Sequence, residues 1–123
     1  MSIKWSLEKG NIGVFYVSAK LAKNELEQAQ NACEDVIRKI GTIKILVILD
    51  KFTGWEDAEG WEDASFAERN DKYIDKIAIV GDEKWRDMAY LFTLKGLRPV
   101  AIEYFESNEE ASAREWLNDE PKG

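Results

Sequence analysis

The sequence has no histidine, one cysteine, two prolines and two methionines among its 123 residues. Without histidine there is no Ser-His or Cys-His catalytic pair and no imidazole ligand for a metal. The lone cysteine, Cys33, excludes an internal disulfide. Because Met1-Ser2-Ile3-Lys4-Trp5 lacks the apolar stretch of an export signal, the expected compartment is the reducing cytoplasm. Long apolar runs are missing too. Ile45 to Leu49 is fenced by Lys44 and Asp50, whereas a membrane helix needs roughly 20 apolar residues, so no transmembrane segment is expected. Basic residues are in deficit, 17 against 24 acidic, for a net charge of −7. They are also scattered, and phosphate binding depends on clustered Lys and Arg, so nucleic acid is not an expected partner.

What is present fits one domain spanning residues 1–123. At 45% hydrophobic the chain can bury a core without metals or disulfides, and it is too apolar for disorder. Ile3, Trp5 and Leu7 alternate with polar residues, the period of a half-buried strand. Gly10-Asn11 supplies a hairpin turn into a second strand from Ile12 to about Ala19. Asn24, with Glu27 three residues on, reads as a helix cap. Leu26, Ala29, Cys33, Val36, Ile37 and Ile40 then recur at helical spacing until Gly41. Ile43 to Leu49 is a continuous apolar run, the pattern of a strand covered on both faces. Asp50 to Trp55 reads as a loop and Asp57 to Asn70 as a helix.

Ile74 to Val80 is another buried strand, after which Asp82 can cap a helix whose face is Trp85, Met88, Ala89 and Phe92. Val100 to Phe105 gives the last strand, with Pro99 tolerated at its start. Ser107 with Glu110 reads as a capping box for a final helix bearing Ala113, Trp116 and Leu117. This order predicts a single α/β domain: a mixed, mostly parallel sheet of about five strands with four main helices. Its βα junctions, Asp50 to Asp57, Gly81 to Trp85 and Phe105 to Ser107, should line one sheet edge, where open α/β sheets bind ligands.

Several blocks also carry a family likeness. Ile45-Leu46-Val47-Ile48-Leu49-Asp50, then Phe52-Thr53-Gly54-Trp55 and Ala58 before Trp61-Glu62-Asp63, form the first. Ile77-Ala78-Ile79-Val80-Gly81-Asp82 with Trp85, Tyr104-Phe105, and Ala113-Arg114-Glu115-Trp116-Leu117 follow in order. From about Gly10 to Leu117 the chain resembles the small bacterial and archaeal STAS-like proteins related to anti-sigma factor antagonists. That resemblance implies a fold similar to STAS domains and to CRAL-TRIO lipid-carrier domains. The antagonists are switched by phosphorylation of a serine or threonine at the start of the helix after the central strand. Here that stretch reads Gly54-Trp55-Glu56-Asp57-Ala58, without a hydroxyl. No phosphorylation is expected; Thr53 is a weak substitute acceptor.

The remaining candidates for chemistry each have a plainer explanation. Asp50, Asp57 and Asp82 are the only acid/base or cation-binding candidates at the expected edge. Ending a strand and capping a helix already account for Asp50 and Asp82, so no metal, cofactor or catalytic residue is expected. Gly54 and Gly81 lack the Gly-rich run of a phosphate cradle. Cys33 lies on an apolar helix face as a buried thiol. The tryptophans are more informative. Trp85 and Trp116 follow helical apolar periods, but Trp55 stands beside Gly54 with no such period, open to either a pocket or a core role. The expectation is a non-catalytic module binding a small apolar or amphipathic molecule at the C-terminal edge of the sheet. Its expected site is Phe52, Gly54, Trp55, Trp61, Gly81, Asp82 and Trp85. The alternative is a protein-interaction module of the anti-sigma factor antagonist type without the phosphoserine. A protein partner and a homodimer through a strand edge or helix face are the other associations left open.

Overall fold

The computed structural model describes residues 2–56, 65–93, 95–96 and 98–119. Five strands form one sheet in the order β1-β2-β3-β4-β5: Ile3–Glu8, Ile12–Leu21, Ile43–Trp55, Ile74–Gly81 and Ala101–Glu106. β1 and β2 are an antiparallel hairpin, and every later pair is parallel. The hairpin turn sits where expected, with Gly10 and Asn11 both at positive φ (89° and 58°), angles that Gly and Asn adopt most readily. The helices are α1 (Lys23–Ile40), α2 (Ser65–Asn70), α3 (Arg86–Thr93) and α4 (Glu110–Asn118).

The strand order dictates where the helices go. Parallel crossovers are right-handed as a rule, and here each new strand is added at the same edge, so the crossover helices accumulate on one face. Accordingly Ala29, Cys33 and Ile37 of α1, Phe66 of α2 and Ala89 of α3 all join one core cluster with Phe15, Ile45 and Ile79. After β5 no strand remains to be added, and α4 folds back over the other face. There Ala113 and Leu117, both fully buried, close over Leu46 and Ala78. The small side chain of Ala78 lets α4 approach β4 closely. No helix among the described residues is long and apolar enough to cross a membrane.

Three local expectations change. The stretch Asp50 to Trp55 is strand: β3 continues beyond Leu49 and pairs Phe52, Gly54 and Trp55 with Ala19, Lys20 and Leu21. Register shifts around Ala19 allow this, with Ala19 (φ 54°) and Lys51 (φ 53°) both left-handed, so bulges re-aim the aromatic side chains that follow. Asn24 does not cap α1. The cap position is Ala22, and the first free N–H groups are met by distant side chains: Lys23 N donates to Glu56 (2.8 Å) and Ala22 N to Ser2 Oγ (3.0 Å). The capping box before α4 is Glu106 with Glu109 instead of Ser107 with Glu110, because β5 runs one residue further than its apolar pattern. Of the helix expected over Asp57 to Asn70, Ser65–Asn70 is helical and 57–64 lie outside the described residues. The cap at Asp82 is present, its Oδ1 accepting from Lys84 N at 2.9 Å.

Candidate functional site

At the C-terminal edge, four aromatic rings meet, two from β3, one from the turn just before α3 and one from α3 itself. Phe52 contacts Trp55 and Trp85 at centroid distances of 5.0 and 4.9 Å, and Trp55 contacts Trp85 at 5.9 Å and Phe92 at 5.3 Å. Most of these contacts are edge-to-face, the geometry the ring quadrupoles favour. Phe52 is buried and both tryptophans are half-buried. Among the described residues the buried Trp55 indole N–H has no hydrogen-bond acceptor; the surrounding ring faces are only weak acceptors for such a group. Gly54, at φ 118°, brings the β3 backbone against Trp85. Gly81 serves a closer approach: a Cβ there would lie 2.8 Å from the Tyr104 hydroxyl and 2.9 Å from Leu49. That hydroxyl donates to Asp82 O at 2.6 Å, and burial pushes its pKa up to about 12.

A cavity of about 690 Å³ opens beside this cluster, between the sheet and α1, α2 and α3. Phe52 and Trp55 form its end wall, Val47, Leu49 and Ile79 its floor, and Leu26 with Phe92 its sides. On its rim Met88 and Leu91 of α3 are 50% and 76% exposed. Two polar clasps hold the helical walls. Glu34 of α1 accepts from Arg69 Nε (2.8 Å) and Asn70 Nδ2 (2.9 Å) of α2. The Arg69 hydrogen bond, then that of Asn70, keeps the Glu34 carboxyl below its ordinary range. Arg98 makes a bidentate pair with Asp71 (2.9 and 2.5 Å) and donates to Thr93 O at 3.1 Å, fixing the end of α3.

A second depression, about 430 Å³, lies over the sheet edge on the α4 side. It is polar, edged by Tyr16, Asp50, Lys51, Asp82, Lys84 and Glu110. Tyr16 Oη donates a short hydrogen bond to Asp50, which with slight burial raises the phenol pKa. Phe52 and Trp85 also border this depression, so Phe52 stands between the two spaces. No three acidic or sulfur side chains converge as a metal site among the described residues. Cys33 is fully buried, and desolvation raises its pKa to about 12.

Of the residues singled out in the sequence, Phe52, Trp55 and Trp85 come together, with Gly54 beneath Trp85. Asp82 faces the polar depression, Gly81 is buried behind it, and Trp61 and Asp57 lie outside the described residues. Thr53 is exposed within β3. The cavity floor was not singled out, because Val47, Leu49 and Ile79 read as ordinary strand core. Leu91 offered one signal, an apolar residue outside the helix face defined by Trp85, Met88, Ala89 and Phe92.

A hairpin-started, otherwise parallel five-stranded sheet, with its crossover helices on one face and a final helix on the other, is the architecture of a STAS-like domain. The chain belongs to the SpoIIAA-like family, whose model matches residues 12–118. In three dimensions it is similar to an uncharacterized protein of the DUF3478 family from Shewanella loihica PV-4, described as having a SpoIIAA-like fold. The two share 20% identity with a TM-score of 0.70, over 94% of this chain and 91% of the other. No curated protein matches the chain.

Proposed function

We propose that this chain is a non-catalytic STAS-like module that binds a small apolar or amphipathic molecule. The observation that carries this reading is the cavity of about 690 Å³ walled by apolar side chains, a volume within the usual range for small-molecule sites. Its end wall is the Phe52–Trp55 pair at the C-terminal edge, and its length runs beneath α1 and α3. The cavity has an apolar interior and a few amides and charges at the rim, the composition that orients a ligand without reacting with it.

The test uses N-phenyl-1-naphthylamine, an uncharged apolar fluorophore. It should bind saturably, brighten on binding and quench tryptophan emission. Val47→Phe, which adds bulk to the cavity floor, should lose this binding with little loss of stability. If the wild-type chain neither binds the probe saturably nor carries a ligand in native mass spectrometry, the pocket reading fails. A second reading then takes its place: a protein-interaction module without the phosphoserine, favoured by the exposed apolar pair Met88 and Leu91.

A further inference from the structure

We infer that the cavity takes uncharged ligands and discriminates against anionic amphiphiles, with Glu27 as the residue that sets the discrimination; this rests on the ligand-binding reading above. Among the described residues that line the cavity, three are cationic: Lys23, Arg69 and Arg98. Each already holds a carboxylate. Lys23 Nζ lies 3.3 Å from Glu27, Arg69 Nε lies 2.8 Å from Glu34, and Arg98 clamps Asp71 through two nitrogens. The last two pairs also fasten the walls. Glu34 is shared with Asn70, and the Arg98 and Asp71 side chains are only 13% and 12% exposed. An incoming carboxylate or phosphate that captured Arg98 would strand the Asp71 charge away from water, a costly exchange. Capturing Lys23 leaves the anion beside Glu27, itself a lining residue. The chain's net charge of −7 adds to the repulsion.

Beyond the rim the walls are apolar, so a charged group cannot move inward without losing its hydration. The neutral amides of Gln30 and Asn31 border the same space. Each carries both donors and an acceptor, suited to a hydroxyl or carbonyl headgroup. The geometry therefore fits an alcohol, ketone or ester carried on an apolar body.

The experiment is displacement of N-phenyl-1-naphthylamine by decan-1-ol and by decanoate at neutral pH, on the wild type and on Glu27→Gln. Ionised decanoate is the weaker ligand of any apolar site, so the variant carries the decision. Wild type should prefer the alcohol by at least about tenfold. Glu27→Gln removes the rim carboxylate and frees Lys23, and should strengthen decanoate binding about three- to tenfold relative to the alcohol. The substituted residue is a solvent-facing helix position, so the variant should fold, and its melting temperature checks this. Decanoate matching decan-1-ol on the wild type would overturn the selectivity, and an unchanged decanoate affinity in Glu27→Gln would overturn the role of Glu27. If the fluorophore itself does not bind, the pocket reading falls and the inference with it.

Discussion

At the scale of single residues, the chemistry of this chain follows from burial. Burial, and after it the negative charge of the adjacent Glu34, disfavour the Cys33 thiolate and push its pKa to about 12. It should resist iodoacetamide at mildly alkaline pH in the native protein and react fully once the chain is unfolded, as mass spectrometry of the labelled protein would show. Gly81 illustrates the opposite constraint, a side chain excluded by packing. Its backbone passes so close to Leu49 and Tyr104 that Gly81→Ala should cost about 1–3 kcal/mol, the usual penalty of overpacking. Urea denaturation measures that loss, and an unchanged midpoint would mean that β4 and β5 separate more easily than their contacts imply. Glycine at this position was legible only as a turn residue. Its function of admitting the Tyr104 hydroxyl depends on a strand more than 20 residues away.

Among elements, α2 is the least self-sufficient. It has six residues, far too few for an isolated helix in water, and it is held to α1 by Glu34. The Glu34 carboxyl has its pKa lowered by Arg69 and Asn70, so the ionised form is the one the native state favours. Its contribution to stability is therefore full above the unfolded-state value near 4.5 and is lost as pH falls through the lower folded value. Glu34→Gln should melt below wild type at neutral pH, and the two melting curves should converge in acid below that window. A gap that stays constant down to strongly acidic pH would show that the ionised carboxylate is not what fastens α2. The elements themselves were largely readable: the hairpin, α1, the buried strands, the Asp82 cap and the apolar face of α4 all follow local pattern. The continuation of β3 past Asp50 was not, because it requires paired irregularities at Ala19 and Lys51 on adjacent strands. No single segment displays such a pairing.

For the molecule as a whole, the decisive feature is an uneven division of cover: among the described residues, α1, α2 and α3 share one face of the sheet while α4 alone closes the other. Leu117, carried on that helix, is fully buried against the sheet, and among the described residues no second helix on that face could fill a gap. Leu117→Ala should therefore fall in the range of about 2–5 kcal/mol for a buried leucine, measured by thermal or chemical unfolding. A loss well under that would mean that α4 settles into the space. The sequence by itself determined the class of fold, since alternating strand and helix periods with short connections admit few topologies. It also determined the lack of histidine chemistry and the acidic surface, because composition does not depend on folding. Only the tertiary structure decided where space remains. A cavity is the volume left over when helices of particular lengths are laid on one sheet, and Val47, Leu49 and Ile79 have the same sequence pattern whether a helix covers them or not. The pairing of Lys23, Arg69 and Arg98 with carboxylates was hidden for the same reason: two of the three partners, Glu34 and Asp71, are more than 25 residues distant in the chain, and contact at that range is fixed by the packing of elements.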